Sequence, residues 1–182
     1  MAISATLYRV KMQLSDIDRN VYEELEFRVA AHPSEGSERL VARILAYVLY
    51  YEENLEFGKG LSDADEPALW THDLTGQLLH WIDVGAPSAE RIHLATKKSP
   101  RVTVVAHKGL EALSREMRKK KLHRAKEVEV LVFSRSFIKD LADVIGRNSN
   151  WVVVRNDGEL SVTIDDTTLS GSAWVEPLPQ PE

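Results

Sequence analysis

Acidic and basic side chains recur between residues 35 and 98 in a pattern that could bind a divalent metal ion. Glu35 and Glu38 lie on a predicted helix, Asp65 and Glu66 lie before a hairpin, and Asp83 lies at a strand end. The cations Arg91, His93 and Lys97 follow on the next helix. Carboxylates that converge at strand ends are ligands for Mg²⁺ or Mn²⁺, because hard cations prefer oxygen. Such an ion can polarise a phosphoryl oxygen and generate hydroxide at neutral pH. We therefore expect any active site to lie here, with Mg²⁺ or Mn²⁺ as its cofactor.

A hairpin and a helix are predicted to position these side chains. The apolar runs 69–72 and 78–84 flank Asp73 to Gly76, where Asp opens a turn and Gly closes it. Ser88 then follows a Gly-Ala-Pro break and is the predicted N-cap of a helix. Asp83 is thus expected near the start of that helix. Its carboxylate could ligate a metal there, or could simply stabilise the helix N-terminus.

The rest of the chain predicts a single α/β (α+β) domain over residues 1–182. Strand and helix patterns alternate after the central hairpin, which implies parallel strand pairing with helices packed on a sheet. The predicted fold is a mixed β-sheet with flanking helices and a hairpin at each end of the chain. The remaining predicted elements are strands 4–14, 22–31, 101–106, 128–133, 151–155 and 160–164, helices 35–54, 109–121 and 137–145, and a tail 174–182.

Composition narrows the chemistry. The 182 residues are 43% hydrophobic and 28% charged, which is ordinary for one globular domain. No apolar run approaches the ~18 residues of a membrane helix, and the N-terminus lacks the apolar region of a signal peptide. We therefore expect a cytoplasmic protein that does not associate with membranes. The absence of cysteine excludes disulfides, thiolate nucleophiles and thiolate metal sites. The oligomeric state stays open.

A basic segment interrupts an otherwise acidic chain. Residues 115–126 contain seven Lys or Arg and one Glu, a local charge of +6, which leaves −11 for the rest of a chain whose net charge is −5. Two interpretations stay open. The cations could be the solvated C-terminal end of a helix, where positive charge is favourable. Alternatively, Arg118, Lys119, Lys120 and Lys121 could contact nucleic acid or another polyanion.

Several short sequences carry a resemblance to known families. The words HPSEG-SER, GLS-x-x-DEP-x-LW, DLTG, WIDVG-x-P and ERI resemble the YaeQ family of bacterial proteins, over essentially the whole chain. Within residues 35–133, the order of helix acid, acidic strand, strand-end acid, helix and strand is similar to the PD-(D/E)XK nuclease core. The second resemblance implies divalent-metal-dependent hydrolysis of DNA or RNA. The alternative is a non-catalytic module that binds nucleic acid or a transcription-related protein partner.

The nuclease resemblance implies three metal-ligating acids. The helix acid would be Glu38, with Glu35 as a more exposed alternate, although an acid there could also simply interact with the helix N-terminus. The acid that enters the first hairpin strand would be Glu66, or failing that Asp65, and the strand-end acid would be Asp83. On this interpretation, Asp83→Asn should remove metal binding and leave the fold intact.

The sequence departs from the nuclease pattern at one position. Gly85 stands two residues after Asp83, where the pattern has the lysine that neutralises developing phosphoryl charge. The resemblance implies that the next helix could supply the missing cation, with Arg91 and Lys97 as equal candidates. Both could instead be solvent-facing helix charges.

Overall fold

The computed structural model describes residues 4–181 and shows a mixed α+β fold that is rich in strands and has few helices. In chain order the helices and strands are β1 (Thr6–Asp16), β2 (Val21–Ala31), α1 (Ser37–Leu49), β3 (Leu55–Phe57), β4 (Leu69–His72), β5 (Leu78–Val84), α2 (Ala89–Lys98), β6 (Arg101–Ala106), α3 (Leu110–Met117), β7 (Val128–Phe133), α4 (Phe137–Ala142), β8 (Asn148–Asn156), β9 (Glu159–Ile164) and β10 (Thr167–Pro177). The predicted mixed sheet is confirmed.

These elements form two compact units. Of the described residues, the first contains 4–44 and Phe133–Ala173, and the second contains Leu45–Val132 and 174–181. The prediction of one domain over residues 1–182 stays a prediction.

In the first unit the strand order is β2-β1-β8-β9-β10. β1 pairs antiparallel with β2 and parallel with β8, and β9 pairs antiparallel with both β8 and β10. Period-2 alternation places Val10, Met12, Leu14 and Trp151 on a buried face. The predicted N-terminal hairpin is therefore confirmed.

In the second unit the strand order is β7-β6-β5-β4-β3. β5, β6 and β7 run parallel, while β3, β4 and β5 pair antiparallel. One hydrophobic cluster joins β5, β6 and β7 to α2 and α3, and it includes Trp81, Ile92, Val104 and Leu113. Because the apolar residues of α2 face this cluster, its charged residues remain near the surface.

Three predicted helices are shorter in the structure, and the predicted tail is wrong at residues 174–177. α1, α3 and α4 end at Leu49, Met117 and Ala142, three to five residues before the predicted ends. In place of a tail, β10 continues to Pro177, with Thr167 paired to Ile164 of β9. The prolines at 179 and 181 follow the strand, where the loss of an N–H group removes no sheet hydrogen bond.

Candidate functional site

Asp83 lies one residue before the end of β5, and both of its carboxylate oxygens accept hydrogen bonds. Arg91 Nε donates to Oδ2 at 2.8 Å and Arg91 Nη2 donates to Oδ1 at 2.8 Å. Trp81 Nε1 also donates to Oδ2 at 2.8 Å. The Asp83 and Arg91 side chains are 7% and 25% exposed. This two-point geometry is the strong form of an arginine–carboxylate pair.

Arg91 also binds the segment that precedes β4. Its Nη1 donates to the carbonyl oxygen of Ala64 at 2.7 Å, and its Nη2 donates to that of Glu66 at 3.0 Å. Ser88 Oγ accepts from the Arg91 backbone N–H at 3.2 Å, which confirms Ser88 as the N-cap of α2. The guanidinium therefore joins β5, α2 and the 64–66 segment. We call this arrangement the Asp83–Arg91 clamp.

Backbone geometry accounts for the glycine at position 85. Gly85 has φ of +117° and its N–H donates to the carbonyl oxygen of Val105 at 2.9 Å. L-residues are strained in this region of φ, so a lysine there would disturb the turn from β5 into α2. Here Arg91 neutralises Asp83, and it does so by direct pairing rather than across a metal site.

Glu66 and Asp65, the acids predicted at the entry to the first hairpin strand, do not bring their carboxylates to the clamp. Glu66 Oε2 accepts from the Lys59 backbone N–H at 2.9 Å, and its Oε1 lies 3.3 Å from Lys59 Nζ. Asp65 is exposed, and its backbone N–H donates to Asp63 Oδ1 at 2.9 Å. Only the backbone of Glu66 therefore joins the clamp, and its carboxylate is bound elsewhere.

The acid before α1, Glu35, and the acid in its first turn, Glu38, differ from expectation in burial. The Glu35 side chain is 1% exposed and pairs with Arg39 Nη1 at 2.5 Å and Arg43 Nη2 at 2.7 Å. Burial lowers the pKa of the Arg43 guanidinium, and Glu35 opposes that shift. Glu38 is half-buried in the first turn of α1, within the first unit, whereas Asp83 and Glu66 belong to the second unit. The prediction that Glu35 is the more exposed of the two acids is wrong.

The acids as arranged do not fit a divalent ion. Among residues 4–181, no group of three or more His, Asp or Glu side chains could hold a metal. Asp83 already accepts three N–H groups and Glu66 pairs with Lys59, so neither offers a free pair of oxygens. The Mg²⁺ or Mn²⁺ cofactor stays a prediction from the sequence.

The end of α2 and the segment after α3 together form a cationic surface. Lys97 and Lys98 are exposed in the last turn of α2. α3 ends at Met117, so exposed Lys119, Lys120 and Lys121 follow the helix instead of forming its last turn. We call Lys97, Lys98, Arg118, Lys119, Lys120 and Lys121 the basic surface.

A hydrogen bond from Arg124 Nη1 to the carbonyl oxygen of Thr96 joins the segment after α3 to the end of α2. The pKa of His93 is lowered, first by the charge of Lys97, then by burial and by Lys120 and His123. The positive charges of α2 and of the segment after α3 therefore act on the same region.

Most cations of the basic surface lack an acidic partner. Lys119 Nζ pairs with Glu116 at 2.7 Å. Throughout the described part of the chain, no carboxylate forms an ion pair with the other five cations of the basic surface. Buried Leu122, 6% exposed, anchors the segment in the core of the second unit. The basic surface thus combines a fixed backbone with uncompensated charge.

A buried polar row was missed by the site predictions. His80 is 2% exposed, and its Nε2 lies 2.8 Å from Thr103 Oγ1, which lies 3.0 Å from Glu129 Oε1. Burial, with a contribution from Arg101, lowers the pKa of His80 to about 3. Burial also raises the pKa of the Tyr50 hydroxyl, whose ring contacts His80 edge-on. The sequence signal for this row was a histidine at an inward position of an apolar strand.

The fold and these sites define a strand-rich α+β protein with an arginine–carboxylate clamp and an exposed basic surface. The family model described as "YaeQ protein" matches residues 1–172, and the chain belongs to the YaeQ family. This match confirms the family resemblance that was based on the short sequence motifs.

Relatives and solved structures extend the match. The chain is 28% identical over 180 residues to "Uncharacterized protein YaeQ" of Salmonella typhi, covering 97% of this chain and 99% of that protein. It is 35% identical over 107 residues to the Escherichia coli (strain K12) protein of the same description, covering 59% of each. Crystal structures of YaeQ proteins from Xanthomonas axonopodis pv. citri and Pseudomonas syringae superpose with TM-scores of 0.86 and 0.85, at 34% and 35% identity. They cover 97% and 94% of this chain, and 100% and 95% of the two solved chains.

These matches establish the family and the fold. The nuclease resemblance stays a prediction. No helix within residues 4–181 has the length and apolar character needed to cross a membrane. The cytoplasmic location also stays a prediction.

Proposed function

We propose that this protein binds nucleic acid through the phosphate backbone, with the basic surface as the contact. The observation that carries this proposal is the set of five exposed cations without partner carboxylates, on two neighbouring segments of an acidic chain. Lys and Arg that neutralise phosphates release condensed counterions, which drives binding without reading sequence. The proposed interaction is therefore salt-dependent and tolerant of sequence.

The Asp83–Arg91 clamp has a positioning role in this proposal. Arg91 fixes the first turn of α2 to the end of β5, and Ile92 and Ala95 bury the helix in the core. Lys97 and Lys98 are thereby presented from a rigid helix instead of a mobile loop. A rigid support reduces the conformational entropy lost when the lysines contact phosphates.

Replacing Arg118, Lys119, Lys120 and Lys121 with Gln should weaken oligonucleotide binding and flatten its salt dependence. Each phosphate contact contributes about 0.9 to the slope of log K against log salt on B-DNA, so the slope should fall by up to about 3.6. Fluorescence anisotropy of a labelled duplex across a salt series measures both quantities. The same titration with single-stranded DNA and RNA identifies the preferred nucleic acid.

A matched control removes four exposed cations elsewhere. Replacing Lys108, Arg135, Lys139 and Arg147 with Gln changes the net charge by the same amount and leaves the basic surface intact. This control should retain most of the wild-type salt slope. Equal losses of salt slope in the two quadruple variants would show that net charge alone causes the effect. An unchanged slope in the Arg118–Lys121 variant would contradict the proposal.

Metal-dependent cleavage of the bound nucleic acid is a more specific hypothesis than binding alone, and the sequence motivates it. Asp83 Oδ2 already accepts two N–H groups and Oδ1 accepts one, so bidentate ligation of a metal would require Arg91 or Trp81 to give up hydrogen bonds to it. The proposed binding needs no such rearrangement, so it is independent of divalent ions. A non-catalytic binding module is thus the function that the geometry supports best.

A further inference from the structure

β2 is an edge strand on which one charge, that of Arg28, is not matched within its own hairpin. It is 11 residues long and lies at the end of the strand order in the first unit. On its outward face, Glu26 lies opposite Lys11 of β1, but Arg28 lies opposite Arg9. Like charges directly opposite each other destabilise a strand pair. Within residues 4–181, no carboxylate forms an ion pair with Arg28.

We propose that β2 pairs antiparallel with β2 of a second copy of this chain, with Phe27 on the two-fold axis. In this register Glu26 of each copy lies opposite Arg28 of the other, which forms two equivalent attractive pairs across the axis. Each Arg28 then gains the carboxylate that its own hairpin does not supply. The proposal is independent of the nucleic-acid function, because it uses a different surface.

The charges of β2 select this register over its neighbours. Moving the axis to Glu26 would pair Glu24 with Arg28 twice but would also place Glu26 opposite itself, a repulsion that the Phe27-centred register lacks. Moving it to Arg28 would place Arg28 opposite itself. An axis at Leu25 would place Glu24 opposite Glu26 twice. A shift of the partner strand by a single residue would turn the buried face of one copy outward. Such registers are excluded for that reason.

The inner face of β2 also fits the same register. Leu25 and Phe27 are half-buried in the single chain, whereas Val29 is buried. Centring on Phe27 places Leu25 of each copy opposite Val29 of the other and the two Phe27 rings opposite each other. Apolar cross-strand pairs of this kind stabilise a sheet, and pairing satisfies the open backbone groups of the edge.

A charge-swap cycle tests the pairing. We expect wild-type protein to dimerise in the micromolar range, and Glu26→Arg and Arg28→Glu each to weaken the dimer about tenfold, since each makes two like-charge pairs. The double variant E26R/R28E exchanges the charges and should restore wild-type dimerisation. Sedimentation equilibrium measures the association, and circular dichroism checks the fold. A monomeric wild type, or a double variant no better than the singles, would overturn the proposal.

Disulfide trapping tests the register separately. The chain has no cysteine, so a single introduced cysteine reports on one position. Phe27→Cys should form an intermolecular disulfide across the axis under mild oxidation, whereas Leu25→Cys, which would lie opposite Val29, should not. Cross-linking of Leu25→Cys in place of Phe27→Cys, or of neither variant, would overturn the register.

Discussion

Replacing Asp83 with Asn should lower the free energy of unfolding by about 3 kcal/mol. The substitution leaves the largely buried Arg91 guanidinium without its carboxylate, and removing one partner of a buried ion pair costs about 3–5 kcal/mol. The lower end applies because Arg91 is 25% exposed. Urea denaturation followed by circular dichroism measures the change. The sequence interpretation of Asp83 as a metal ligand predicts an intact fold for the same variant.

Glu90→Gln is the matched control for this prediction. Glu90 is an exposed acid in the first turn of α2, so the substitution removes the same charge close by without touching the clamp. Its free energy of unfolding should change by less than about 0.5 kcal/mol, as is usual for surface substitutions. If Asp83→Asn were equally mild, Asp83 would be a carboxylate held ready for a ligand, and the clamp would not stabilise the fold.

Acidification should destabilise the protein through His80. Its folded pKa of about 3 lies below the usual 6.5, so between these values the unfolded chain binds a proton that the folded chain does not. Stability from neutral His80 is therefore complete above pH 6.5 and is lost as pH falls toward 3. Between pH 7 and pH 5 the loss should be roughly 2 kcal/mol, from 1.36 kcal/mol per pH unit below 6.5. Urea denaturation at each pH measures it.

His80→Gln should reduce this pH dependence, because glutamine does not titrate while it can still hydrogen-bond Thr103. The variant is expected to be less stable than wild type at pH 7, with a gap that narrows by roughly 2 kcal/mol at pH 5. His123→Gln, at an exposed position, should parallel wild type. Parallel pH curves for wild type and His80→Gln would show that the His80 pKa is not lowered by burial.

The strands of the second unit were predictable because their sequence signals are local. β4, β5, β6 and β7 match the predicted ranges, since each is a short apolar run bounded by turn residues. Asp73 shows the same locality: its Oδ1 accepts from Thr75 and Gln77 and closes the predicted turn. β10 lacked such a signal, because Thr167–Pro177 is rich in Ser and Thr and does not alternate clearly.

The candidate site was less predictable because its contacts are not local. Asp83, Arg91 and Glu66 were each identified from the sequence, but their pairing depends on how the 64–66 segment lies against the start of α2. Periodicity assigns a face to each residue and does not identify its partner. The sequence therefore indicated the charged residues of the site, and the structure adds the Asp83–Arg91 ion pair, which the sequence did not reveal. The role of Asp83 as a metal ligand stays a prediction.

Mapping the contact surface by NMR tests the proposed nucleic-acid binding most directly. In ¹⁵N-labelled protein titrated with an oligonucleotide in EDTA, we expect the largest amide shifts at residues 93–98 and 118–123. The proposal predicts that these shifts occur without divalent ions and diminish as salt increases. Shifts centred elsewhere in the chain, or no shifts for duplex DNA, single-stranded DNA and RNA at low salt, would contradict it.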